Sequence, residues 1–291
     1  MLTPPPLALY VHIPWCVRKC PYCDFNSHET DALPEQAYLD ALIDDLKQDA
    51  SLAQGRAIES IFFGGGTPSL MSGDFYRQLL NAIGDELDLT TDAEITLEAN
   101  PGAVEQQRFD DYRAAGINRL SIGVQSFDPD KLAALGRIHD ADEARNAVAS
   151  ARQAGFDNIN LDLMHGLPDQ TPEQALVDLE QAIDLAPTHL SWYELTIEPN
   201  TAFWSHPPTQ PDPDQMADTE AAGFHRLDRA GYQRCEISAF SRDNQRCRHN
   251  LNYWEFGDYL ALGAGAHGKL SSTDGEIIRY HKTRQPGDYL S

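Results

Sequence analysis

The chain has 291 residues and carries 22 Lys and Arg against 45 Asp and Glu, so its formal net charge is −23. Such acidity argues against non-specific nucleic-acid binding and against a polybasic membrane anchor, because both depend on clustered basic side chains. No apolar run approaches the roughly 18–20 residues of a membrane-spanning helix, and the N-terminus lacks the pattern of a signal peptide. We therefore expect a soluble cytoplasmic protein.

Strand-like and helix-like segments alternate along the chain. The predicted elements, in chain order, are a strand over 7–13, a helix over 34–53, a strand over 60–63, a helix over 73–83, a strand over 94–98, a helix over 105–115, a strand over 119–124, a helix over 141–154, a strand over 159–163, a helix over 171–184 and a strand over 190–195. Repeated β-α units with short connections predict a parallel sheet with right-handed crossovers. The fold class is α/β, either a doubly wound sheet or a full or partial (β/α) barrel.

The pattern changes after the sixth predicted strand. A proline-rich segment over 199–213 marks a surface excursion, and 216–230 returns as a helix. The last sixty or so residues carry Trp, Tyr and Gly without a clear period. We therefore expect a core domain over residues 1–233, followed over 234–291 by the start of a C-terminal region.

Polar or glycine-rich stretches follow the predicted strands. In chain order they are the loop with three cysteines, Gly64–Pro68, Glu98–Pro101, Gln125, Asp162 and Tyr193-Glu194. In parallel α/β folds the functional residues gather at the carboxyl ends of the strands. Six such stretches on one rim predict a single site at the barrel mouth.

Three of the five cysteines are crowded into one loop. The cysteines are Cys16, Cys20, Cys23, Cys235 and Cys247. An odd number with three close together is a poor disulfide framework and a good metal site. Three thiolates leave one corner of a cubane iron–sulfur cluster without a protein ligand. The alternative is a structural zinc site, with His12 or His28 as its fourth ligand.

The segment Tyr10–Cys16, followed by Cys20-Pro21-Tyr22-Cys23, resembles the radical S-adenosylmethionine (SAM) superfamily, whose loop has the form C-x3-C-x2-C. Gly64–Thr67 looks like the SAM-binding element of that superfamily, where glycine lets the backbone approach the ligand closely. The resemblance implies a partial (β/α)6 TIM-like barrel with a [4Fe-4S] cluster on Cys16, Cys20 and Cys23. It also implies SAM at the open iron, where one electron from a donor cleaves SAM to a 5′-deoxyadenosyl radical.

Further motifs narrow the resemblance to one branch of the superfamily. They are Leu97–Pro101, Gly123–Phe127, Gly136-Arg137, Asn160–Leu163 and Gly166–Pro168. The branch contains oxygen-independent coproporphyrinogen III dehydrogenase and the HemW-type heme chaperones. Carried over position by position, the SAM-binding residues implied are Tyr10, Tyr22, Gly65, Gly66, Thr67, Glu98, Gln125, Arg137 and Asp162.

Two departures favour the chaperone type within this branch. Phe25 stands where the dehydrogenase has a fourth cysteine, and the dehydrogenase's N-terminal extension is lacking before the first strand. The segment His249–Trp254 also matches an H-N-x-x-Y-W element that is associated with heme binding in the HemW type. The resemblance then implies delivery of heme to acceptor hemoproteins of the respiratory chain, some of them membrane-bound. Whether the chain is also an enzyme stays open, with oxidative decarboxylation of coproporphyrinogen III as the alternative function.

The candidate heme residues are Cys247, His249, Asn250, Tyr253 and Trp254. Imidazole and thiolate both bind heme iron, so His249 and Cys247 are rival ligands. The rings of Tyr253 and Trp254 offer flat apolar faces to a porphyrin. Arginines at 234, 242, 246 and 248 form a local positive segment that suits the heme propionates. The resemblance also implies that the chain stops before the family's C-terminal domain.

Overall fold

A computed structural model describes residues 3–291, apart from the side chains of 103 and 104. Residues 1 and 2 lie outside the described residues. They belong to the N-terminal segment in which no signal peptide is expected. The strands are β1 (Leu7–Ile13), β2 (Trp15–Cys16), β3 (His28–Glu29), β4 (Ile58–Gly65), β5 (Leu89–Ala99), β6 (Arg119–Gln125), β7 (Asn158–His165), β8 (His189–Glu194), β9 (Gln233–Arg234), β10 (Ala239–Ser241), β11 (Asp258–Leu262), β12 (His267–Ser271) and β13 (Ile277–His281).

The helices lie mainly between the strands of the parallel series. They are α1 (Glu35–Asp49), α2 (Gly73–Glu86), α3 (Ala103–Gln106), α4 (Phe109–Ala115), α5 (Pro129–Ala134), α6 (Ala141–Gln153), α7 (Pro172–Asp184), α8 (Ala202–Ser205), α9 (Pro213–Arg229), α10 (Arg248–Trp254) and α11 (Pro286–Tyr289). Among residues 3–291, no helix combines the length and the hydropathy that crossing a membrane requires.

Eleven strands form one sheet in the order β13-β12-β11-β1-β4-β5-β6-β7-β8-β10-β9. Within it β1 and β4 to β8 are parallel neighbours in chain order. A doubly wound sheet reverses its strand order at a switch point, and this series does not. The sheet is therefore the partial (β/α)6 barrel that the sequence predicts.

Burial explains why the parallel strands are continuous apolar runs. Six of the seven residues of β1 are buried, because helices cover one side of the sheet and the barrel interior the other. The helices carry their own start signals: Asp140 and Glu143 form a capping box at α6, and Thr171 and Gln174 form another at α7. The helix predicted over 105–115 differs, since α3 and α4 are separate helices on either side of Gln107.

The C-terminal residues extend the same sheet at both edges. Strand β10 pairs antiparallel with β8, whereas β11 pairs in parallel with β1. Between them the chain crosses from one edge of the barrel to the other, and α10 packs against β4 and β1 on the way. The division into 1–233 and 234–291 stays a prediction, and the helix α10 is what brings the predicted heme segment to the barrel.

Candidate functional site

The cysteine loop is fixed to the glycine-rich turn that follows β4. Gly66 N donates to Ile13 O at 2.7 Å, and Thr67 N donates to Trp15 O at 2.7 Å. A Cβ atom at Gly66 would lie 2.5 Å from the Trp15 carbonyl oxygen, closer than any real contact. The turn therefore needs glycine at this position because the backbone that leads into Cys16 lies directly against it.

Three other regions hold the rest of the loop in place. Asn26 Nδ2 donates to Ala264 O at 3.0 Å and to Arg284 O at 2.9 Å, which ties the loop to the C-terminal segment. His12 Nε2 lies 2.8 Å from Asn26 O. On the other side, Phe203 N donates to Pro21 O at 3.0 Å. The loop is thus a defined structure supported from several elements.

Each of the three predicted cluster ligands has a polar group close to its sulfur. Thr67 Oγ1 donates to Cys16 Sγ at 3.3 Å, and Arg137 Nη1 lies 3.7 Å from Cys20 Sγ. Cys23 Sγ lies 3.9 Å from the Ser27 hydroxyl. Hydrogen bonds from hydroxyl and guanidinium groups stabilise thiolates, which are the ligand form that an iron–sulfur cluster takes. The residues present fit a three-thiolate cluster.

The same loop does not fit the zinc alternative. His12 has both ring nitrogens engaged, by Tyr10 and by Asn26, and His28 Nε2 lies 3.3 Å from the Asn26 side chain. Among residues 3–291 the loop cysteines do not form a group with all ligand atoms within 4.8 Å of one another. A single ion needs such close ligands, whereas a cluster of several metal atoms holds its thiolates further apart.

Two partly buried carboxylates lie inside the barrel mouth. Glu98 Oε2 accepts a hydrogen bond from Gly65 N at 3.2 Å, and Gly65 has a positive φ of 116° that favours glycine. Asp162 accepts from Ser121 Oγ at 2.9 Å and from Asn160 Nδ2 at 2.8 Å. Burial, together with the charge of Asp162, raises the pKa of Glu98 to about 8. Glu98 is therefore mostly protonated at neutral pH in the protein without ligands.

Arg137 and Gln125 complete the same rim. Arg137 Nη2 donates to Asn100 Oδ1 at 2.7 Å and to Gly123 O at 2.6 Å, so the guanidinium group joins two strand ends to the cysteine loop. Gln125 takes a left-handed conformation, with φ of 69°, and accepts from Tyr193 OH at 2.9 Å. The structure thus brings these side chains to the same rim as the cysteines.

The two predicted tyrosines stand on different sides of the site. Tyr10 OH lies 3.0 Å from His12 Nδ1, and its ring packs on Phe62 inside the barrel. Tyr22, between the second and third cysteines, packs against Phe203 of α8. Tyr10 lines the interior beside Glu98, whereas Tyr22 secures the outer side of the loop.

The predicted heme segment forms α10, and its histidine points into the barrel. His249 is 1% exposed, with Nδ1 3.0 Å from Ser60 Oγ and Nε2 2.9 Å from Tyr253 OH. Burial, with Arg119 nearby, lowers the pKa of His249 to about 3, so the ring is neutral. Both nitrogens are thus engaged within the chain, and heme ligation by His249 stays a prediction that requires Tyr253 to release Nε2.

The other residues of the segment divide between buried and exposed positions. Cys247 is buried beside Glu94, and burial raises the pKa of its thiol to about 12. Asn250 Nδ2 and Trp254 Nε1 both donate to the Glu236 carboxylate, at 3.3 and 3.0 Å. The Trp254 ring remains 56% exposed and offers an apolar face to solvent. Cys247 is thus much less accessible to a ligand than the aromatic face.

Three of the four arginines that the sequence assigned to heme propionates have partners within the chain. Arg234 stacks over Phe224, and Arg242 stacks over Tyr232. Arg248 forms an ion pair with Asp92 at 3.1 Å. The positive segment therefore serves local packing in this structure.

Two neighbouring cavities share Tyr10, Glu98 and Tyr253 in their walls. One, of about 720 Å³, opens between the cysteine loop and the C-terminal strands, and is large enough for an extended cofactor. The other, of about 220 Å³, is the barrel interior. The larger cavity is lined from the cysteine-loop side by Phe25 and Asn26, and the smaller one from the α10 side by His249 and Asn250.

No site role was predicted from the sequence for several residues of this interior. Arg119 is 2% exposed at the start of β6, and Asn160 and His189 form a hydrogen-bonded pair at the starts of β7 and β8. A charged or polar residue at the start of an otherwise apolar strand was the available signal. It could not be interpreted alone because the partners come from distant parts of the chain.

Residues 10–182 match the model of the Radical SAM superfamily. This match, the partial barrel and the three-cysteine loop define the chain as a radical SAM protein, a class that carries a [4Fe-4S] cluster and SAM. The chain is 55% identical over 291 residues to the heme chaperone HemW of Escherichia coli strain K12, covering 100% of this chain and 77% of that protein. The chain belongs to the HemW family.

Two further comparisons agree with this assignment. The heme chaperone HemW of Haemophilus influenzae is 55% identical over 291 residues, covering 98% of this chain and 76% of that protein. The solved structure of coproporphyrinogen III oxidase (HemN) from E. coli superimposes with a TM-score of 0.80 at 27% identity, covering 95% of this chain and 71% of that one. The resemblance and the fold class predicted from the sequence are thereby confirmed.

Proposed function

We propose that the chain is a heme chaperone, which binds heme and passes it to acceptor hemoproteins while it carries a [4Fe-4S] cluster and SAM. The observation that carries this proposal is the 55% identity to proteins named heme chaperone HemW along the whole chain. Phe25, at the position where the dehydrogenase has a cysteine, supports the same choice. The acceptors that we expect are respiratory hemoproteins, some of them in the inner membrane, and the chain itself acts in the cytoplasm.

The proposed cluster ligands are Cys16, Cys20 and Cys23. When bound, the cluster supplies the electron for reductive cleavage of SAM, and an electron donor protein must in turn reduce the cluster. The chain's own part is electrostatic, since the Thr67 hydroxyl and the Arg137 guanidinium face two of the three sulfurs. These donors offset the negative charge of the thiolates in a partly buried loop.

The proposed SAM residues are those carried over from the family: Tyr10, Tyr22, Gly65, Gly66, Thr67, Glu98, Gln125, Arg137 and Asp162. The protonated Glu98 can donate to and accept from a ribose hydroxyl, and Arg137 can bind a carboxylate. Gly65 has no room for a side chain, because a Cβ atom there would lie 2.6 Å from the His12 ring. The proposed core domain, 1–233, would then hold SAM, and the proposed start of the C-terminal region, 234–291, would hold heme.

The proposed heme site is the segment Cys247–Trp254, with Tyr253 and Trp254 against the porphyrin and His249 or Cys247 as the iron ligand. Titration of the protein with hemin tests it through the Soret band. We expect a shifted band in the wild type and its loss in His249→Ala. The control is His225→Ala, at an exposed histidine on the outer helix α9. A band unchanged in both His249→Ala and Cys247→Ala would contradict the site.

The chaperone proposal itself is tested by transfer. We expect heme-loaded protein to convert an apo-hemoprotein of the respiratory chain to its holo form, measured by the acceptor's own absorption spectrum. The alternative function is tested separately, by an anaerobic assay with coproporphyrinogen III, SAM and dithionite. Formation of a vinyl product there would refute a function limited to heme delivery.

A further inference from the structure

A second group of metal-ligating side chains lies at the edge of the barrel, away from the cysteine loop. His189 begins β8, and Cys235 and Glu236 lie in the turn between β9 and β10. Their ligand atoms all lie within 4.8 Å of one another, which holds for no other group of three or more His, Cys, Asp and Glu within residues 3–291. We propose that His189, Cys235 and Glu236 bind a single divalent cation of the zinc class.

The distance between the nitrogen ligand and the sulfur ligand fits such an ion. His189 Nε2 lies 3.7 Å from Cys235 Sγ. Zinc bonds of about 2.3 Å to sulfur and about 2.05 Å to nitrogen, at a tetrahedral angle, place the two atoms about 3.6 Å apart. The side chains therefore need no more than a small adjustment to share one ion.

The hydrogen bonds around His189 direct a lone pair toward the sulfur. Asn160 Nδ2 donates to the Asp162 carboxylate at 2.8 Å and to Ser121 Oγ at 2.8 Å, which fixes the orientation of the Asn160 amide. Its Oδ1 therefore faces His189 Nδ1, at 2.6 Å, and Nδ1 must donate. In a neutral ring the other nitrogen, Nε2, then carries the lone pair that faces Cys235. Metal-binding histidines are oriented by this kind of outer hydrogen bond.

A protonated thiol at Cys235 leaves one of its two neighbouring acceptor atoms without a hydrogen-bond donor. Cys235 Sγ lies 3.4 Å from Ala239 O and 3.7 Å from His189 Nε2, and both of these atoms are acceptors. One thiol proton cannot be donated to both at once. A cation bound by the sulfur and by Nε2 supplies the partner that the imidazole lacks.

Glu236 supplies the third ligand and is held from the opposite side. Its carboxylate accepts from Trp254 Nε1 at 3.0 Å and from Asn250 Nδ2 at 3.3 Å. A thiolate and a carboxylate together balance the charge of a divalent ion, and three protein ligands leave a fourth position for water. Cys235 and Glu236 are only partly buried, so an ion can reach these two ligands from solvent.

This site uses none of the cluster ligands and neither of the two rival heme ligands. It does share two outer residues with the predicted heme segment, Asn250 and Trp254, which hold Glu236. The proposal therefore assigns these two side chains a role in orienting a metal ligand, whatever the aromatic face of the segment binds.

Zinc titration of the holoprotein tests the proposal. The cluster is first reconstituted under anaerobic conditions, excess metal is removed, and Zn²⁺ is added in competition with a chromogenic chelator. We expect one equivalent of zinc per chain at unchanged iron content. In Cys235→Ser and in Glu236→Gln the affinity should fall by at least about 100-fold, since loss of a ligand exceeds the 10–100-fold effect of an outer partner. The matched control is Glu220→Gln, at an exposed glutamate on the outer helix α9, which should retain the wild-type affinity.

X-ray absorption at the zinc edge provides a second readout that does not depend on the variants. We expect one sulfur at about 2.3 Å and the remaining ligands, nitrogen and oxygen, at about 2.0–2.2 Å. A shell of three sulfurs would place the zinc in the cysteine loop and overturn the proposal. The proposal would also be overturned if the wild-type protein binds no zinc, or if both variants bind zinc as tightly as the wild type.

Discussion

Replacing Gly66 with alanine tests whether the glycine-rich turn positions the cysteine loop. The added Cβ would lie 2.5 Å from the Trp15 carbonyl oxygen and 2.8 Å from its carbonyl carbon. These are backbone atoms, so no side chain can rotate away, and the backbone on either side must separate. Gly66 N also donates to Ile13 O at 2.7 Å, and that bond would lengthen. Overpacking of this kind costs about 1–3 kcal/mol.

Gly84 provides the matched control. It is an exposed residue within α2, and a Cβ atom there would meet nothing within 4 Å. Because glycine is a poor helix former, Gly84→Ala should stabilise the protein by about 0.5–1 kcal/mol. We therefore expect the two substitutions to shift the free energy of unfolding in opposite directions.

Two measurements decide the outcome. Thermal unfolding of the apoprotein should show a lower Tm for Gly66→Ala and a higher one for Gly84→Ala, at about 2–4 °C for each kcal/mol. Iron content after anaerobic reconstitution should fall in Gly66→Ala alone, since the displaced segment leads directly into Cys16. If Gly66→Ala keeps both the wild-type stability and the wild-type iron content, the turn does not position the loop and the reasoning is refuted.

Three further predictions concern the rim and the α10 side of the barrel. The pKa of Glu98 is about 8 in the folded protein and ordinarily 4.5, so the free energy of unfolding should fall by up to a few kcal/mol as the pH rises from about 4.5 to about 8. In denaturant titrations without ligand, Glu98→Gln should lose this pH dependence, and the same dependence in both proteins would contradict the prediction. Arg137→Met removes a positive charge 3.7 Å from Cys20 Sγ, so the midpoint potential of the cluster should become more negative by on the order of tens of millivolts. A redox titration measures this shift, and an unchanged potential would count against the contact. Trp254→Phe removes the indole donor to Glu236, so the affinity for zinc should fall about 10-fold in the chelator competition. A variant that binds zinc as tightly as the wild type would contradict this prediction.

The parallel series could be predicted because its signals are local. Each strand is a buried apolar run, and each helix repeats its apolar residues at helical spacing, so pattern and burial agree over the six β-α units. The C-terminal strands could not be predicted in the same way. Strand β11 has five residues and pairs with β1, about 250 positions earlier in the chain. Nothing in the sequence around β11 identifies that partner.

The site likewise contains parts that local sequence patterns predict and parts that depend on strand pairing. The cysteine spacing and the glycine-rich turn are local motifs, and the structure holds them together by direct backbone hydrogen bonds between Ile13 and Gly66 and between Trp15 and Thr67. By contrast, His189 and Cys235 are 46 positions apart and meet only because β10 pairs with β8. A group that depends on strand pairing shows no spacing in the sequence.

The arrangement of the barrel places the cluster loop and α10 on opposite ends of β4. His249 contacts Ser60 near the start of the strand, whereas Gly65 ends it beside the cysteine loop, five residues and about 17 Å further along. The cavity of about 720 Å³ lies between these two ends, because Tyr253 of α10 and Gly65 both line it. The ring of His249 packs on Phe62, which packs on Tyr10, one of the proposed SAM contacts. Tyr10, Phe62 and His249 all line the cavity of about 220 Å³, so a ligand that enters this cavity from the α10 side would meet the same rings that border the proposed SAM site.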